Sequence, residues 1–154
     1  MKQFIIISLS LLLAACGFTP LYATDDGVGP VAIERIDGRG GHALRKALVQ
    51  RLAIGIPGID VPATLEVDLV EELDRLALQA DESAARTDVN VVARYVLSID
   101  GETIEGRVQA QASFQVPDRP FGDLPAQIDA TDRAMSVLAR RLVDDLRLKA
   151  ARRE

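Results

Sequence analysis

VNVVARYVLSIDGETIEGRVQAQASFQV, residues 89–116, decides the fold. Its first half is apolar at odd positions, Val89, Val91, Ala93, Tyr95, Leu97 and Ile99. Its second half is apolar or small at even ones, Ile104, Gly106, Val108, Ala110, Ala112, Phe114 and Val116. Alternation with a period of two is the mark of a strand with one buried face, because successive side chains leave opposite faces of a sheet. Between the halves stands Asp100-Gly101, a pair preferred by the two-residue type I′ turn. Such a turn sets Leu97 opposite Ile104, Tyr95 opposite Gly106, Ala93 opposite Val108, Val91 opposite Ala110 and Val89 opposite Ala112. Both apolar sets then share one face, and a slip of one residue would destroy the match.

Working outward, Val31 to Ile36 reads as a strand stopped by Asp37-Gly38-Arg39-Gly40-Gly41. From His42 to Ile54 the period lengthens: Leu44, Ala47, Leu48, Arg51 and Leu52 form the stripe of an amphipathic helix, with Gly55 as its stop. Thr64 to Leu69 alternates again, and Val70 to Leu78, where the phase slips, continues as a strand with a bulge. Polar, alanine-rich Gln79 to Thr87 reads as a loop. Pro117 to Pro120 ends the long hairpin, because proline cannot donate to a ladder. A last helix runs from Leu124-Pro125 to about Ala150, with Leu124, Ile128, Thr131, Met135, Leu138, Leu142 and Leu146 on one stripe. The order β-α-β-β-β-α implies an α+β fold, with two helices on one face of a four-stranded sheet whose other face is polar.

The N-terminus is of another kind. A basic head, the apolar run Phe4 to Leu13 and Ala14-Ala15 before Cys16 form a secretory signal too short to span a bilayer. Leu13-Ala14-Ala15-Cys16 resembles the bacterial lipoprotein signal, in which the cysteine is acylated and becomes the first residue of the mature chain. Cys16 is the only cysteine, and acylation accounts for a thiol without a disulfide partner. Gly17 stands where an aspartate would signal inner-membrane retention, so an outer-membrane anchor facing the periplasm is expected. The expected organisation is a removed signal over 1–15, a lipidated linker over 16–30, one domain over 31–150 and a tail over 151–154.

With 18 Lys and Arg against 23 Asp and Glu, the chain carries a net charge of −5, which argues against nucleic acid as a partner. The single histidine, His42, has no nucleophile motif or ligand cluster around it, so no catalytic residue, metal site or cofactor is expected.

Cys16-Gly17-Phe18-Thr19-Pro20-Leu21-Tyr22 resembles the start of the LPS-assembly lipoprotein LptE family, where a Cys-Gly-Phe-x-Pro-Leu-Tyr run follows the cleavage site. Leu44 to Leu48, Tyr95-Val96-Leu97, Gly106, Ala112-Ser113-Phe114, Pro120-Phe121, Asp129-Ala130, Arg133-Ala134 and Leu138-Ala139-Arg140 follow in that family's order. The resemblance implies two helices on a four-stranded sheet. It further implies a non-catalytic lipoprotein that assists assembly of the outer-membrane β-barrel LptD, plugs its lumen and binds lipopolysaccharide. A second reading with the same anchor and size is an accessory lipoprotein of a phospholipid-transport ABC system; the run after Cys16 favours the first.

Two sets of residues are candidates for contact. The hairpin register opposes Arg94 and Arg107 on the polar face, where like charges cost stability unless an anion lies between them. Lipid A phosphates would fit such guanidinium forks, and neutralisation by Glu66, Asp68 or Glu105 is the plainer account. Gln109, Gln111 and Ser113 offer neutral hydrogen-bonding groups to a partner such as a hydrated barrel wall.

If Cys16 is the acylated residue, Cys16→Ser abolishes incorporation of a palmitate analogue in growing cells. Equal label in the wild type and the variant would refute the anchor.

Overall fold

Asp100 and Gly101 both adopt positive φ, 43° and 86°, as a type I′ turn requires, and the glycine does so without a Cβ penalty. The strands that this turn joins pair as the spacing predicts, from Ile99 with Glu102 to Arg86 with Gln115, without a shift. The computed structural model describes residues 30–78, 84–115 and 123–152. Its elements are β1 Val31–Ile33, α1 Gly38–Arg51, β2 Ala63–Leu78, β3 Ala84–Ile99, β4 Glu102–Gln115 and α2 Asp123–Ala150. The sheet order is β1-β2-β3-β4, with β1 parallel to β2 and the other pairs antiparallel. The signal, Cys16 and its linker to residue 29, residues 79–83 of the expected loop, Val116 and Pro117 to Pro120 lie outside the described residues.

The fold class is as expected, an α+β arrangement with the helices against the sheet. Helix α2 packs on β4 and β3, and α1 lies beside α2 on the β1 side. Leu65, Val89, Val91, Ala93, Tyr95 and Leu97 from the sheet meet Leu44 and Leu48 of α1 and Ala134, Met135, Leu138, Leu142 and Leu146 of α2 in one core. Truncating one of these leucines to alanine removes roughly 2–5 kcal/mol. Thr131 is buried on the same stripe, its hydroxyl 3.1 Å from Glu71.

Three expectations need correction. The first helix starts at Gly38, not His42: Gly40 and Gly41 are there for close approach, not as a stop. A Cβ on Gly41 would lie 2.7 Å from the Ile36 carbonyl, and one on Gly40 2.6 Å from Met135, so tertiary packing overrides weak helix propensity. Consequently β1 ends at Ile33, and Ile36 joins the core from the connection. Residues 84–87, read as loop, belong to β3: Arg86 and Thr87 pair with both neighbours, and Ala84 pairs with Leu78 of β2. The bulge lies near Arg75 and Ala77, where the β2–β3 register shifts. Leu124 is 59% exposed, so the buried stripe of α2 begins further along.

Strand β4 is a sheet edge, and three cations of α2 cap its carbonyls. Lys149 Nζ donates to Glu105 O at 2.7 Å, Arg141 to Gln109 O, and Arg133 Nη2 to Ser113 O at 3.2 Å. Groups that could template another strand are thereby engaged. Tyr95, buried beneath this helix, lies over Gly106: a Cβ there would overlap its hydroxyl and ring and press on the Lys149 ammonium.

Gly106→Ala should therefore lower stability by roughly 1–3 kcal/mol, as overpacking does, with a matching fall in the urea midpoint. An unchanged midpoint would mean that Tyr95 can move aside without cost.

Candidate functional site

Opposite the helices, the sheet presents a ruled surface in which each row crosses β2, β3 and β4. In order the rows are Thr64-Ser98-Thr103, Glu66-Val96-Glu105, Asp68-Arg94-Arg107, Val70-Val92-Gln109, Glu72-Asn90-Gln111 and Asp74-Asp88-Ser113. The even residues of β2 and β3 and the odd ones of β4 face this way, because the apolar alternates are held in the core.

Arg94 and Arg107 are opposed, as the hairpin register predicts. Arg94 Nη1 lies 3.7 Å from Asp68 Oδ2, both side chains well exposed, so Arg94 alone of the two is matched by a carboxylate from β2. Arg107 has no ion-pair partner among the described residues. Of the residues expected to face a partner, Gln111 donates to Asp88, Ser113 accepts from Arg86 at 2.9 Å, and Gln109 keeps its side-chain amide free among the described residues. Glu72, Asn90, Val92, Gln109 and Gln111 line a depression of about 530 Å³ on this surface.

Two features of the face escape a strand-by-strand reading. Strand β2, on the far side of β3 from β4, adds Glu66, Asp68, Glu72 and Asp74, which makes the surface acidic overall. Asp88, beyond the end of the expected loop, is 3% exposed although it belongs to the outer face. Ser113 first, then against the effect of burial Arg86 and Gln111, hold its carboxyl below the usual 3.8. Asn90 Nδ2 is 2.6 Å from Asp74, so this end of the face is an interlocked polar cluster. Val70, 51% exposed, is the most exposed apolar residue of the face.

A second polar cluster lies at the seam between sheet and α2. The buried Tyr95 hydroxyl donates to Asp145, and Lys149 Nζ lies 2.9 Å from Asp145 and 3.3 Å from that hydroxyl. Burial, then the Asp145 carboxylate, pushes the Tyr95 phenol well above its usual range. Burial alone would raise Asp145; hydrogen bonds from Tyr95 and Lys149, with the Lys149 and Arg152 charges, outweigh it and hold the carboxyl below 3.8. Among the described residues no three His, Cys, Asp or Glu side chains converge to hold a metal. None of the described helices is long and apolar enough to cross a membrane.

The fold is shared with solved bacterial proteins. A protein of Caulobacter crescentus CB15 described as a lipoprotein matches with a TM-score of 0.63 at 23% identity, over 83% of this chain and 95% of its own. Rare lipoprotein B of Shewanella oneidensis matches with a TM-score of 0.59 at 10% identity, over 79% and 95%. A minor lipoprotein of Acinetobacter baumannii matches with 0.54 at 10% identity, over 80% and 93%. No protein-family model and no curated protein sequence matches the chain.

Asp145 is held below its usual value in the fold, so the stability it contributes is present above the unfolded value of 3.8 and lost as pH falls through the folded one. The urea midpoint should therefore drop on acidification below about pH 4. Asp145→Asn should lower it at neutral pH and reduce that acid dependence; an acid limb identical to wild type would remove Asp145 from the account.

Proposed function

We propose that this chain is an outer-membrane lipoprotein, anchored through Cys16, that assists assembly of the LPS-export β-barrel, plugs it and helps deliver lipopolysaccharide to the outer leaflet. The observation that carries the reading is a coincidence of two independent features. The run from Leu13 to Tyr22 resembles the opening of the LptE family, and the domain behind it has the fold of bacterial lipoproteins from three species. One lies in the N-terminal sequence and the other in the topology of residues 30–152.

The outer sheet face is the surface we assign to the barrel. Its rows of glutamine, asparagine, serine and threonine can pair with a polar lumen directly or through water, and Val70 with Val92 supplies an apolar strip across the middle. The free amide of Gln109 beside that strip is its most available hydrogen-bonding group. For lipopolysaccharide, the phosphate contact falls to Arg107, because Arg94 already has Asp68 beside it. The carboxylates of β2 oppose a bare phosphate on this face and confine such a contact to the β4 side.

A photo-crosslinking residue at Gln109 or Val70 should capture a large outer-membrane β-barrel in living cells. Absence of that product from both positions, at wild-type abundance, would leave a tethered periplasmic domain without this partner.

A further inference from the structure

Helix α1 carries charge of the opposite kind to the outer sheet face. Residues 38–59 contain no aspartate or glutamate, in a chain that has 23 of them. Within this stretch Arg39, His42, Lys46 and Val49 follow one another at steps of three and four, which places them on one helical stripe, and all are exposed. Arg45 flanks the stripe, its Nη2 3.4 Å from the Ile33 carbonyl. Just past the helix Ile54 is 72% exposed, and Val49 is 47% exposed. Arg39 and Lys46 form no ion pair among the described residues. The nearby carboxylates are Asp132, in the shallow groove between the helices, Asp37, which Arg35 engages at 3.0 Å, and Glu71, which accepts from Thr131 and packs against Gly40.

We infer that this face of α1 rests on an anionic phospholipid bilayer, with Arg39, Arg45 and Lys46 among the headgroup phosphates and Val49 and Ile54 at the boundary with the acyl chains. Three observations select a bilayer as the occupant. Cations beside exposed aliphatic side chains, on a helix that itself carries no acidic residue, form the pattern of a helix lying in a membrane interface. The opposite sheet face sets Glu66, Asp68, Glu72 and Asp74 against Arg94 and Arg107, an acidic excess that turns the α1 side rather than the sheet toward an anionic surface. Pro30 lines a groove with Arg45 and Val49, so the chain that follows Cys16 enters the domain beside this face, within a reach of at most about 50 Å. In that orientation the sheet face points away from the lipid, so this contact belongs to the anchored domain before it enters a barrel.

The test uses residues 16–154 carrying Cys16→Ser, which removes the acyl group and the apolar run Phe4 to Leu13, so a negative result leaves the anchor and the barrel reading standing. An environment-sensitive thiol label is placed at Ile54→Cys, or at Val70→Cys on the opposite face as control. The vesicles are phosphatidylcholine with or without phosphatidylglycerol. The label at position 54 should shift to the blue and become shielded from iodide only when phosphatidylglycerol is present, while that at position 70 stays accessible. Each cation near such a surface contributes about fivefold to partitioning, so R39Q/R45Q/K46Q should weaken the interaction about a hundredfold at low salt. Added salt should do the same to the unsubstituted face, which keeps the test valid if the triple variant folds poorly. Undiminished binding by a folded triple variant, burial of both labels alike or the same shift on phosphatidylcholine alone would overturn the inference. So would a shift produced by inorganic phosphate without vesicles, which would mark a point anion site.

Discussion

The register of the β3–β4 hairpin is the constraint on which everything else rests. Because side chains alternate, a slip of one residue at Asp100-Gly101 would exchange the two faces of β4 along its whole length. Tyr95 would then lose the space above Gly106, and the polar partners of Asp88, Gln111 and Ser113, would turn into the core. The cost of stranding those polar groups without water is why two turn residues can govern a strand of fourteen. Opposition of Arg94 and Arg107 is a by-product of this register that Asp68 tempers from the other side.

Helix α2 is matched to that strand in length as well as in hydrophobic pattern. Its clamping cations, Lys149, Arg141 and Arg133, are eight residues apart, and their acceptors Glu105, Gln109 and Ser113 are four apart. Eight helical residues rise about 12 Å and four strand residues about 13 Å, so one helix running antiparallel to the strand meets its edge at regular intervals. Long cationic side chains suit this role, because their stems cover the seam while their charged ends reach the carbonyls. The Tyr95–Asp145–Lys149 cluster lies at one end of the clamp, where Lys149 joins both networks.

Most of the architecture was legible in the sequence because it follows from periodicity: the hairpin, the stripe of α2 including Thr131, and the bulge where β2 changes phase. The start of α1 was not, since glycines that permit close approach look the same in sequence as glycines that end an element. Residues 84–87 were hidden by their polarity, although Thr87 and Asp88 are both buried. The candidate face was legible on β4 and incomplete elsewhere, because only strand order reveals that β2 lays its carboxylates across β3 on the same face. The capped edge left no trace at all, as backbone carbonyls have no sequence signature.

These omissions concern the relation between elements, and that relation gives the domain its polarity. Strand β2 must alternate to bury Leu65, Val67 and Leu69, so Glu66, Asp68, Glu72 and Asp74 are forced onto the face away from the helices, while Glu71 stays on the helix side against Thr131. Helix α1 must bury Leu44, Leu48 and Leu52, so its cations and Val49 are forced outward on the other side. The same hydrophobic core therefore leaves most β2 carboxylates and the α1 cations on opposite surfaces, with Arg94 and Arg107 among the carboxylates of the sheet face. A domain built this way offers chemically different surfaces on its two sides, so a contact made through one side leaves the groups of the other available.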